Sequence, residues 1–101
     1  MNEKKLNLKY ELFENDALIF KSIQSKSLVL KHLNNPVLKI KYQDFPDLGI
    51  WTMVNAPFIC LEPWFGFSDG LDAAGTIFEK EGISVLDANQ QFESSYSIEV
   101  F

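Results

Sequence analysis

Alternation of apolar and polar residues with a period of two restricts the fold of this chain more than any other feature. Near the C-terminal end, the apolar positions of the alternation are Phe92, Tyr96, Ile98 and Val100. The positions between them are polar, for example Ser97 and Glu99. Successive side chains of a β-strand point to opposite faces, so this pattern predicts a strand with one buried face and one wet face.

Five further segments carry strand signals and are separated by turn residues. The predicted strands span 6–12, 27–31, 38–42, 48–54 and 58–61. Asn34, Asn35 and Pro36 predict a turn that joins the second and third of these strands in a hairpin. A short helix over 16–24 is also compatible with the sequence. Four of the five glycines fall in 66–82, which predicts a long surface loop.

Size and composition fit a single globular domain over residues 1–101. The chain is 47% hydrophobic and 23% charged, as is typical of soluble folded proteins. No segment approaches the roughly 20 apolar residues that a membrane helix needs. The N-terminal residues are polar and contain no apolar signal-peptide segment. We therefore expect an all-β, antiparallel domain in the cytoplasm, with no membrane contact.

The charged residues and the cysteine and histidine counts exclude several classes of function. The net charge is -5, from 14 acidic residues against nine basic ones, and every basic residue is lysine. Without arginine, the chain is poorly suited to binding nucleic-acid phosphates. The one cysteine, Cys60, cannot form an internal disulfide, and with a single histidine the chain has no set of ligands for a zinc site. No glycine-rich phosphate loop is present, so no cofactor or metal is expected.

The segment 60–64, with the sequence Cys-Leu-Glu-Pro-Trp, carries the clearest chemical signal. Pro63 favours an extended backbone at Glu62, which predicts that the strand runs up to this carboxylate and stops there. Apolar neighbours on both sides would partly desolvate Glu62, an environment in which general acid–base catalysis is common. The alternative is structural, because a glutamate at a strand end can simply accept hydrogen bonds from loop amides. Composition alone favours this alternative by about two to one.

The remaining candidates are three residues that could line a sugar site. Trp64 and Trp51 could offer an apolar platform to a sugar ring, although Trp51 reads more readily as an ordinary core aromatic. Asp69 in the glycine-rich loop could bind a polyol, or could simply be solvated. The one histidine, His32, is more typical of a surface residue beside a turn than of a catalytic group.

Much of the chain resembles a known family. The matching segments are 45–51, 57–66 with Asp69, 78–83, 92 and 95–100, and upstream 8–13 and 16–20. They are similar to the C-terminal part of the aldose 1-epimerase (galactose mutarotase) superfamily, and most of all to its LacX-like branch. The resemblance implies an antiparallel β-sandwich, the C-terminal part of a galactose-mutarotase-like supersandwich. Its ligand would be an aldose such as galactose or glucose.

The resemblance also implies a catalytic role for Glu62. In the family, the equivalent glutamate is the general base that takes the proton of the anomeric hydroxyl, while a histidine protonates the ring oxygen. Family members are much longer than this chain, and their acidic histidine lies upstream of the matching part. His32 matches no family histidine motif. Losing a general acid typically costs about 10² to 10⁴ in rate, so little or no mutarotase activity is expected.

Three functions stay open at this stage. The chain could be a carbohydrate-binding module, an inactive structural remnant, or one part of an aldose 1-epimerase completed by a chain that carries the missing N-terminal part. Part of a large sandwich also leaves strand edges and apolar faces uncovered. We therefore expect a homo-oligomer.

Overall fold

Two antiparallel three-stranded sheets form the framework of the computed structural model, which describes residues 5–66 and 75–101. The strands are β1 (Leu18–Phe20), β2 (Ser27–His32), β3 (Asn35–Lys41), β4 (Asp47–Trp51), β5 (Cys60–Trp64) and β6 (Ser97–Val100). Sheet A has the order β1-β4-β5, and sheet B has the order β2-β3-β6. Single 3-10 turns at Tyr10–Phe13 and Ile77–Glu79 are the only helical elements of the described residues. The predicted all-β, sandwich-like class is confirmed.

The core lies between the two sheets. Its buried members are Phe13, Ile40, Tyr42, Leu48 and Ile50. The central strands supply most of them, because a central strand can be covered on both sides while an edge strand cannot. β4 shows this directly, since its first four residues are all buried.

The predicted hairpin is confirmed, with its turn one residue earlier than the sequence suggested. His32 pairs with Asn35, which leaves Leu33 and Asn34 as a two-residue loop. Both loop residues have positive φ, 50° and 65°, as the tight turns of two-residue hairpins require. Pro36 therefore lies at the start of β3 and not in the turn.

Two N-terminal predictions are wrong. The alternating segment 6–12 forms no strand: it ends in the 3-10 turn, and its apolar side chains Leu6, Leu8 and Tyr10 stay exposed. An alternating segment can form a strand only where another strand pairs with it, and within 5–66 and 75–101 no strand pairs with this segment. The short helix over 16–24 is also absent, and this region instead contains β1, which pairs with β4 from Leu18↔Ile50 to Phe20↔Leu48.

The C-terminal strand is shorter than predicted. β6 covers only Ser97–Val100, and Phe92 lies outside it, half exposed. Aromatic contacts hold the segment before β6 against the rest of the chain. The ring centroids of Phe65 and Phe92 are 5.0 Å apart, and those of Phe45 and Tyr96 are 6.2 Å apart. Part of the glycine-rich loop, including Asp69, lies outside the described residues.

Over residues 5–66 and 75–101, none of the helices has the length and apolar character needed to cross a membrane.

Candidate functional site

The candidate site lies on the face of sheet A that points away from the core. Leu48 and Ile50 of β4 face the core, so their neighbours Asp47, Gly49 and Trp51 face the other way. Directly opposite residues of antiparallel strands share a face. The pairs on this outer face are Asp47↔Trp64, Gly49↔Glu62 and Trp51↔Cys60. Three of the four predicted site residues, Glu62, Trp64 and Trp51, are thus brought to one surface.

Glu62 lies in the middle of a strand and not at its end. β5 continues through Pro63 to Trp64, contrary to the prediction that it would stop at the carboxylate. The strand can contain Pro63 because β5 is an edge strand of sheet A, where the nitrogen without a hydrogen can face away from β4. This continuation fixes the side chains of Glu62 and Trp64 on the same face.

The Glu62 carboxylate is held by side chains of its own strand. The indole Nε1–H of Trp64 donates a hydrogen bond to Oε1 of Glu62 at 3.1 Å. Cys60, two residues before Glu62, presents its thiol to the same carboxylate. Desolvation, followed by the negative charge of Glu62 and by the hydrogen bond between the thiol and this carboxylate, raises the pKa of Cys60. The predicted alternative, a strand-end glutamate bound by loop amides, does not describe this arrangement.

Gly49 allows the indole of Trp64 to approach β4 closely. A Cβ atom at position 49 would come within 2.5 Å of Cζ2 and 2.8 Å of Cε2 of Trp64. These distances are far below van der Waals contact, so only glycine leaves room for the ring here. Sequence reasoning missed this residue, although an isolated glycine inside a strand is a known sign that another group approaches closely.

Asp47 supports the same corner of the sheet. It is 4% exposed, and its Oδ1 accepts a hydrogen bond of 2.9 Å from the backbone N–H of Ser22. Asp47 begins β4, and this hydrogen bond anchors the chain just after β1. Trp51, at the other end of the face, is partly buried and packs near Phe58, with ring centroids 6.1 Å apart.

Among the residues that the structure describes, no histidine lies on the outer face of sheet A around Glu62. His32, the one histidine of the chain, is exposed at the end of β2 in sheet B. In the described part of the chain, no three His, Cys, Asp or Glu side chains are close enough to hold a metal ion. A separate groove of about 320 Å³ is lined mainly by apolar residues, among them Tyr10, Phe13 and Phe58, and includes no carboxylate. The outer face of sheet A can therefore accept hydrogen bonds and offer aromatic surface.

Comparison with known proteins supports a LacX-like relationship. The chain is 33% identical to the plasmid LacX protein of Lactococcus lactis subsp. lactis, and equally to the chromosomal LacX protein of that organism. Each match covers 98% of this chain but 34% of the relative, so the chain spans about a third of the length of these proteins. No family model matches the chain, and no solved structure does.

Proposed function

We propose that this chain is a carbohydrate-binding domain of the aldose 1-epimerase type, with little or no mutarotase activity of its own. The observation that carries the proposal is the arrangement on the outer face of sheet A. There a glutamate carboxylate, oriented by the indole of Trp64, shares one face with Trp51. The resemblance of 57–66 to the aldose 1-epimerases supports a role for the same glutamate.

The chemistry of this surface suits a sugar ligand. A carboxylate is an acceptor only, and a sugar presents several hydroxyl donors. Indole rings present a large apolar surface with one polar edge, which matches the apolar C–H face of an aldose ring. Because Trp64 and Glu62 are hydrogen-bonded to each other, the acceptor is positioned before a ligand arrives, which lowers the entropic cost of binding.

Catalysis would need more than this surface offers. Opening an aldose ring requires removal of the proton of the anomeric hydroxyl and delivery of a proton to the ring oxygen, so a base and an acid must act together. Glu62 could supply the base. No histidine lies on sheet A to supply the acid, since His32 is in sheet B. A bound sugar should therefore be held without rapid interconversion of its anomers.

The test is an NMR titration of the chain with galactose and with glucose. We expect shifts of the Trp64 indole N–H and the Glu62 amide, without faster anomer exchange in the sugar signals. Glu62→Gln should weaken binding, because the amide is a poorer acceptor than the carboxylate. Glu99→Gln on β6 is the matched control and should bind normally. Absence of shifts at millimolar sugar would overturn the proposal and leave the chain a structural remnant.

A second function is favoured by the length of the relatives. Because the chain spans about a third of the LacX proteins, it could form part of an aldose 1-epimerase that another chain completes with the missing N-terminal part. Anomer exchange that appears only after such a chain is added, and disappears with Glu62→Gln, would establish this function in place of the binding domain.

A further inference from the structure

The outer edge of β6 in sheet B is an open strand edge. β6 pairs with β3 on one side, from Lys41↔Ser97 to Leu38↔Val100, and within the described part of the chain no strand pairs with its other side. Natural proteins commonly protect such an edge with lysine, proline or a bulge. β6 contains no lysine or proline and pairs with β3 without a bulge, and the one charged side chain among its four residues is Glu99.

The apolar face of β6 is also uncovered. Ile98 lies opposite Ile40 and Val100 opposite Leu38, so both are on the face of sheet B that carries the core. Ile40 is buried, but Ile98 is 57% exposed and Val100 is 77% exposed. Tyr96, one step before the strand, is 57% exposed as well. The open edge therefore adjoins an apolar stripe formed by Tyr96, Ile98 and Val100.

The hydrogen bonding of β6 shows which backbone groups are available. The N–H of Phe101 donates to the carbonyl of Val37, at 3.1 Å. Residues of an antiparallel strand alternate between bonding to one neighbour and facing the other side. By this alternation Glu99 bonds to β3, whereas the N–H and C=O groups of Ile98 and Val100 point to the open edge.

We propose that two copies of this chain associate by antiparallel pairing of their β6 strands, with Ile98 of one copy opposite Ile98 of the other. A two-fold axis normal to the sheet would then join the two copies of sheet B into one continuous sheet. This inference is independent of the proposed sugar binding, because β6 and Glu62 lie in different sheets.

Charge disfavours the neighbouring register centred on Glu99, and side-chain pairing favours the one centred on Ile98. With Ile98 at the two-fold axis, each Ser97 is opposite Glu99 of the second copy, and each Tyr96 is opposite Val100. The register centred on Glu99 would place two carboxylates directly opposite each other, which is destabilising. In the Ile98 register, the outward backbone groups of Ile98 face those of Ile98 in the second copy, and the outward groups of Val100 face Tyr96. This register places an aromatic residue beside a β-branched one, which is a favourable cross-strand pair. The edge is thus complementary to itself, as a two-fold interface must be.

Sedimentation equilibrium over micromolar to millimolar concentrations of the full chain tests the association. We expect a reversible dimer. Ile98→Lys should be monomeric, because two ammonium groups would face each other at the axis. Since Ile98 is 57% exposed, the lysine should not prevent folding, and circular dichroism checks this.

Two substitutions at Ser97 test the register. Ser97→Lys places an ammonium opposite Glu99 of the second copy and should tighten the dimer, while Ser97→Glu should weaken it. Each dimer contains this pair twice, so a change in Kd of roughly threefold or more is expected in each direction at low salt. Within one copy, Ser97 lies opposite Lys41. Within the monomer, Ser97→Lys should therefore be destabilising and Ser97→Glu stabilising. Loss of folding thus cannot explain a dimer that is tightened by Ser97→Lys and weakened by Ser97→Glu.

A wild-type chain that stays monomeric up to millimolar concentration overturns the proposal. So does a dimer that responds to none of the three substitutions. If the monomer associates only with a chain equivalent to the rest of a LacX protein, the β6 edge belongs to that interface and the self-association is wrong.

Discussion

The indole nitrogen of Trp64 donates a hydrogen bond to Oε1 of Glu62, two residues earlier on the same strand, at 3.1 Å. Residues at this spacing share one face of a strand, and the indole ring lies directly against Gly49 of the neighbouring strand. One local sequence motif therefore supplies both an acceptor and the group that orients it.

Removing the Trp64 donor should have a modest effect on stability. Trp64→Phe keeps an aromatic ring over Gly49 but loses the N–H, and a half-exposed hydrogen bond of this kind contributes about 1 kcal/mol. Trp64→Ala also loses the ring contact and should cost about 2–4 kcal/mol. Urea denaturation of both variants measures the difference. Equal losses would contradict the separate contributions of ring and donor.

Gly49→Ala should destabilise the protein through Trp64. The new methyl group would lie 2.5 Å from Cζ2 of the indole, so the ring must leave its position, at a cost of about 1–3 kcal/mol. In a Trp64→Ala background, the same substitution should cost much less. A double-mutant cycle measured by denaturation gives the coupling directly. Additive losses at the two positions would show that the ring does not depend on Gly49.

The sequence could predict part of this site but not all of it. Glu62 and Trp64 are two residues apart, so a strand at 60–64 is enough to place them together. Gly49 meets them only through the register between β4 and β5, and register depends on pairing between distant segments. The same distinction applies to the fold. Segments 6–12 and 38–42 both alternate, but only the second has strands on either side of it, and only a structure shows which segments find partners.

The pH dependence of stability should include a contribution from Cys60. Its pKa is raised in the folded chain above the ordinary value of 9.0, mainly by desolvation and then by Glu62. Folding therefore favours the neutral thiol. This stabilisation is complete below the pKa of the unfolded chain and is lost as the pH rises through the pKa of the folded chain. Cys60→Ser should lose stability less steeply than the wild type in the alkaline range, as denaturation midpoints measured against pH will show.

The same raised pKa should make Cys60 slow to react with alkylating reagents, because the thiolate is the nucleophile. Glu62→Gln removes the neighbouring negative charge and should shift the pH profile of alkylation to lower pH. Glu99→Gln, on the other sheet, is the control. A profile that Glu62→Gln leaves unchanged would show that the carboxylate does not act on the thiol.

Asp47 should be a determinant of stability at the corner where β1 and β4 meet. It is 4% exposed and accepts a hydrogen bond of 2.9 Å from the N–H of Ser22. Asp47→Ala leaves that donor without its partner, which costs about 1–3 kcal/mol when the site is shielded from water. Asp47→Asn keeps an acceptor oxygen of the same size and should retain most of the stability. Denaturation midpoints of the two variants measure these two losses of stability. If Asp47→Asn loses as much as Asp47→Ala, the charge of the carboxylate, and not only its acceptor oxygen, holds Ser22 in place.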